Sequence, residues 1–170
     1  AIWIFGGVKL KKVMVYDHHK DTLFYINRLK TNVLSYKQLY DGNLIFGEIR
    51  ADGLMVNLKT YKNEPYTNLD LFIDAFDDGK PSSGNFLMKV DDIYLTNSHF
   101  LLIDENRTDP KDVDFKKMNG HLKDFAIKGS NVTTSINRLA FLDHRGLEVK
   151  NLTSQFTYTK THIDLKQLLL

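Results

Sequence analysis

The chain has 170 residues and no cysteine. That absence excludes a disulfide framework, a thiolate nucleophile and any cysteine-ligated zinc or iron–sulfur centre. Proline is scarce, at 3, and glycine modest, at 10, so no low-complexity linker divides the chain. An excess of one charge is missing too, with 23 basic against 21 acidic residues. A nucleic-acid binder concentrates basic charge on one face, and this balance argues against one. The nearest approach is Lys9, Lys11 and Lys12, which reads as a solvated strand face. No apolar run approaches the ~20 residues of a membrane-spanning helix. AIWIFGGV, residues 1 to 8, lacks the charged start and small-residue cleavage site of a signal peptide.

What remains is a core-forming composition, 42% hydrophobic and 26% charged. The length suits one domain, read here as a single segment, 1–170. The start on AIWIFGG and the end on DLKQLLL read as cuts from a longer chain.

Period-two alternation dominates. Leu54, Val56 and Leu58 alternate with polar or flexible neighbours, as do Leu147 and Val149, Phe156 and Tyr158, and Ile163 and Leu165. Such alternation predicts strands with one dry and one wet face. In VKLKKVMV the phase slips across Lys11–Lys12, from Val8 and Leu10 to Val13 and Val15, which predicts a bulge. One stretch differs. In TNLDLFIDAFDDG, Leu69, Phe72, Ile73 and Phe76 fall at i, i+3, i+4 and i+7. That spacing predicts one short amphipathic helix near 69–77, capped by Asn68 and ended by Gly79, packed on the sheet through those four residues. GKPSSG (79–84) reads as a loop and SYKQLYDG (35–42) as a helical turn.

Turns are expected at DHHKD, DGN (41–43), ADG (51–53), KNEP, ENRTDPKD and DHRG. Around three of them the chain repeats a shape: apolar strand, Asp (Asp17, Asp104, Asp143), polar tip, return strand. Such repetition predicts a sheet that grows by addition of strands.

The stretch richest in chemistry is DHHKD, with His18 and His19 between Asp17 and Asp21. Adjacent histidines in a strand point to opposite faces, so they can share an ion only in a turn. The remaining histidines, His99, His121, His144 and His162, stand singly with no metal-ligand spacing. The preferred reading is a turn in which Asp17 accepts backbone N–H groups, with no metal and no cofactor. No serine lies in GxSxG, no phosphate-binding glycine loop exists, and the adjacent carboxylates Asp77–Asp78, Asp91–Asp92 and Asp104–Glu105 read as solvated element ends. The chain therefore reads as a non-enzyme.

The order GGVKLKKVMV, YDHHKDTLFYINRL, LYDGNLIFGEIRADGLMVNLKTY, TNLDLFIDAF, VDDIYLTNSHFLLID resembles the membrane-proximal N-terminal part of TamB proteins, in the version typical of Bacteroidetes-type bacteria, within the wider AsmA-like group. The resemblance covers most of the chain; DxxxDTL and TNLDLFIDAF are its most specific pieces. It implies an elongated, curved, taco-like antiparallel sheet with an apolar groove. It also implies a periplasmic location, in a protein anchored to the inner membrane by an upstream helix and meeting a BamA/TamA-type outer-membrane barrel through regions outside this segment. The expected partner is phospholipid, held or conducted between the membranes in support of outer-membrane biogenesis. The groove-lining expectation falls on Val13, Val15, Leu54, Val56, Leu58, Ile93, Leu95, Leu139, Phe141, Leu147, Val149, Phe156 and Tyr158. Two alternatives stand beside it. One is a scaffold that binds nascent outer-membrane strands along a sheet edge. The other is a closed structural β domain.

Overall fold

The computed structural model describes residues 7–33, 43–75, 87–129, 131–159 and 161–170. The chain is mainly β, as expected. Its strands are β1 (Val8–Tyr16), β2 (Thr22–Val33), β3 (Leu44–Thr60), β4 (Leu87–Asp104), β5 (Lys111–Lys128), β6 (Asn131–Asp143), β7 (Glu148–Tyr158) and β8 (Ile163–Leu169), with helix α1 (Asn68–Asp74) between β3 and β4. The eight strands form one open sheet in sequence order. The expected all-antiparallel pairing needs correction, because β3 and β4 run parallel. The reason is α1: a crossover that carries a helix back along the sheet delivers the next strand in the same direction.

Further expectations change. ADG (51–53) is no turn but lies inside β3, where Gly53 takes φ 64°. Asn68 is not the helix cap. Thr67 is, accepting from the Asp70 N–H, while the Asp70 side chain accepts from the Thr67 N–H in a capping box. The described helix ends at Asp74, so it is shorter than expected. Phe76, Gly79, and the expected loop and helical turn at 79–84 and 35–42 lie outside the described residues.

A crease crosses the sheet. Lys12, Gly53, Asn97 and Lys117 all have left-handed backbones inside strands, with φ between 44° and 64°. Along β1 to β7 the inward-facing residues are mostly spaced by two and jump by three near this line, at Leu10 to Val13, Ile26 to Leu29, Ala51 to Leu54, Leu95 to Ser98, Phe115 to Met118, Ile136 to Leu139 and Val149 to Leu152. A further jump joins β4 and β5, at Val90 to Ile93 and Leu122 to Phe125, beside Asp124 at φ 51°. From β1 to β3 the register runs through it unbroken, Lys11 facing Arg28 and Val13 facing Ile26. From β4 to β7 the register shifts at the same place. Such irregularities bend strands and increase twist. Beside the crease one inward row joins Leu10, Leu29, Ala51, Leu95, Gly120, Leu139 and Leu152 as direct cross-strand partners.

The twist brings diagonal corners together. Leu23 and Leu58 lie at one end of the sheet, Val132 and Tyr158 at the other, yet all four share one apolar cluster with Leu69 and Ile73 of α1. Measured along β5, their ladder partners Val113 and Ile127 are separated by about 45 Å of strand at ~3.3 Å per residue. A sheet twisting by about 20–25° per strand turns by roughly 90° over the four steps from β3 to β7, which lets one corner fold over the other. Helix α1 fills the space between them. A second cluster, centred on Ala51, Val90, Ile93, Leu95, Leu139 and Phe141, fills the middle of the inner face.

Candidate functional site

Two regions carry the functional questions: the apolar inner face, and the polar end where the turns meet α1.

The inner face holds most of the residues singled out from sequence. Ile93, Leu95, Leu139, Phe141 and Val149 are buried in the central cluster, with Leu54 and Phe156 packed against it. Leu58 and Tyr158 are buried in the corner cluster beside α1, with Val15 and Val56 packed against them. Val13 is half-buried on the same face, opposite Ile26. Leu147 lies in the turn before β7, opposite Asp143, and is 60% exposed rather than packed in the inner face. Its apparent alternation with Val149 is turn followed by strand. Leu69 and Ile73 are buried, and Phe72 packs edge-on against Phe24 at 6.2 Å.

Among the described residues the face is uncovered at its rims. Ile163 and Leu165 of β8 pair with Tyr158 and Phe156, so they share the inner face, but both are 47% exposed. Val8 and Leu10 of β1 are exposed at the opposite edge. Sequence reasoning found the alternation of Ile163 and Leu165 without assigning them to the face; only the register with β7 does so. The outer face is wet and charged. Arg28 pairs with Asp52, and Arg50 pairs with Glu48 and sits over the Tyr94 ring, which stacks on His121 at 4.4 Å.

The polar end is built on Asp17. Its Oδ1 accepts the N–H groups of His19 and Asp21, both at 3.0 Å, which makes DHHKD the expected turn. Asp104 and Asp143 do the same, accepting from the N–H groups of Asn106 (3.0 Å) and Arg145 (2.9 Å). Asp17 is buried, and its Oδ2 also accepts from Tyr61 Oη at 2.8 Å and Asn68 Nδ2 at 2.9 Å. Burial pushes the Asp17 carboxyl up, but the four hydrogen bonds outweigh it and hold the group below the usual range. Burial and the bonds to Asp17 and Asp21 raise the Tyr61 phenol. Asn68 ties the helix to this carboxylate and to β3, because its Oδ1 accepts the Lys59 N–H and its Nδ2 also reaches the Asn57 carbonyl.

Outward from this base stand His18 and His19. Their Nε2 atoms lie 2.9 Å and 2.7 Å from the two carboxylate oxygens of Glu64. Glu64 comes from KNEP, 45 residues downstream of His19, and sequence reasoning missed it because the two turns meet only in the fold. The bond from His19, helped by that from His18, holds the Glu64 carboxyl below its usual range. Away from this end, an opening of about 260 Å³ beside the starts of β1 and β3 is lined by Lys9, Lys30, Glu48 and Arg50 among others, a charged lining rather than an apolar trough.

No protein-family model matches the chain, and no curated protein matches it.

Proposed function

We propose that this chain is a non-enzymatic segment of a periplasmic, TamB/AsmA-like bridge, in a protein anchored to the inner membrane. In this reading its apolar sheet face holds or conducts phospholipid toward an outer-membrane barrel of the BamA/TamA type. The carrying observation is the apolar inner face, which reaches β8 at Ile163 and Leu165, opposite Tyr158 and Phe156, where both side chains stay 47% exposed among the described residues. The middle of the face is filled by its own side chains and one corner by α1, so acyl chains belong at the β8 rim. There they would gain about 0.8 kcal/mol per buried CH₂ with no specific polar contact. The taco-like groove is then the continuation of this face, and α1 its stopper.

The test is phospholipid transfer between vesicles by the purified chain. A charge at the open rim, Leu165→Asp, should abolish transfer and leave the fold intact, since Leu165 is half exposed. Unchanged transfer by that variant overturns the reading. The outer edge of β8, which pairs with no further strand among the described residues, favours a second reading, a scaffold that adds a nascent outer-membrane strand by β-augmentation. It predicts capture of an extended peptide by β8 in place of lipid.

A further inference from the structure

The polar end brings together two imidazoles and a carboxylate that lie 45 and 46 residues apart in the chain. One donor atom from each of His18, His19 and Glu64 lies within 4.8 Å of the others. Adjacent histidines converge because they sit in a tight turn, with Lys20 at φ 67°, and not in a strand. The backbone beneath them is fixed. The His19 N–H is held by Asp17, the Glu64 N–H by the Tyr61 carbonyl at 3.0 Å, and the Glu64 carbonyl by Asn106 Nδ2 at 3.0 Å. The Tyr61 ring lies 3.8 Å from the His19 ring and fixes its plane. Lys59, the neighbouring cation, is engaged with Glu105 at 2.8 Å. The three ligand side chains keep 27% to 46% of their surface in solvent, so an ion can reach them.

We propose that His18, His19 and Glu64 form a site for one divalent transition-metal ion of the zinc type. The ion binds through the two Nε2 atoms and the carboxylate, with water completing the shell. Imidazole nitrogen with one carboxylate suits Zn²⁺ and its first-row neighbours and does not suit Ca²⁺ or Mg²⁺, which take oxygen donors. Ligand atoms at ~2.0–2.1 Å from a tetrahedral ion stand about 3.3 Å apart, so the present N–O pairs open by about half an ångström. Exposed side chains allow that movement without disturbing the turns. Each imidazole binds the ion through an unprotonated Nε2, with its ring proton on Nδ1. The ion staples the β1–β2 turn to the loop that leads into α1, and so locks the helix at its corner.

The experiment is calorimetric titration of the chelator-stripped full chain with Zn²⁺, alongside Co²⁺ absorption spectra and thermal unfolding. One ion per chain is expected, with Co²⁺ ligand-field bands and a Tm rise of about 5 °C or more at saturation. Glu64→Gln and His19→Ala should each weaken binding about tenfold or more, whereas His144→Ala, away from the site, should leave it unchanged. Glu64→Gln keeps the side chain's shape, and the metal-free Tm reports that it still folds. Absence of saturable binding, or equal binding by all the variants, overturns the proposal.

Discussion

The hydroxyl of Tyr158, near the end of β7, lies 3.1 Å from the carboxylate of Asp70 in α1, 88 residues earlier in the chain. It also lies 2.9 Å from the Thr67 hydroxyl that caps the helix. These bonds join corners that a flat sheet would hold far apart. Tyr158→Phe keeps the ring in the corner cluster and removes both bonds. The expected cost is about 1–2 kcal/mol, read as a lower urea midpoint with unchanged slope. Tyr16→Phe, on an exposed edge residue, should change nothing measurable.

Asn68 is a stronger junction, because it is almost fully buried and each of its polar atoms is bonded. Asn68→Ala leaves the Asp17 carboxylate and two backbone groups short of partners. A loss of about 2–3 kcal/mol is expected in chemical denaturation.

Gly120 sits in the inner row where no side chain fits. A Cβ there would lie 2.5 Å from the Arg138 carbonyl and 2.7 Å from a Leu139 methyl. Gly120→Ala should therefore cost about 1–3 kcal/mol by forcing β5 and β6 apart, read from the unfolding midpoint.

Much of this was legible in the residues, and some was not. Alternation marked the strands, and the i, i+3, i+4 spacing of Leu69, Phe72 and Ile73 marked the helix. The slip at Lys11–Lys12 was one instance of a jump by three that recurs at Ile26–Leu29, Ala51–Leu54, Leu95–Ser98 and Ile136–Leu139. Read in all the strands together, it announces the crease; read once, it looks like a local bulge. ADG misled because a glycine at positive φ serves a crease as well as a turn. The parallel β3–β4 pair follows from taking the helix as a crossover. The meeting of Glu64 with His18 and His19, and of Tyr158 with Asp70, depends on twist accumulated over several strands. Local sequence does not encode it.

The carboxylates set the acid limit. Arg145, through its side chain and N–H, holds the Asp143 carboxyl down to about 2. Asp17 and Asp114 are also lowered: burial opposes the shift, and hydrogen bonds, from Asn68 and Tyr61 or from His99 and Lys111, overcome it. Folded pKa values below the unfolded ~3.9 contribute stability above that pH, lost as pH falls toward about 2. Thermal unfolding should show a steep fall in Tm between about pH 4 and 2. At the alkaline side, burial and Asp70 push the Tyr158 phenol up to about 12. That contribution is present below the unfolded ~10 and lost as pH rises through 12, and Tyr158→Phe should remove this part of the alkaline transition.

The central claim, that the inner face is open to lipid at β8, is tested most directly by site-specific photocrosslinking. A benzophenone side chain placed at Leu165, on the face, is compared with one at Lys166, exposed on the opposite face of the same strand, in chain incubated with phospholipid vesicles. The account predicts covalent phospholipid adducts at 165 and none at 166, detected by mass spectrometry. Equal labelling at both positions, or none at 165, would contradict it.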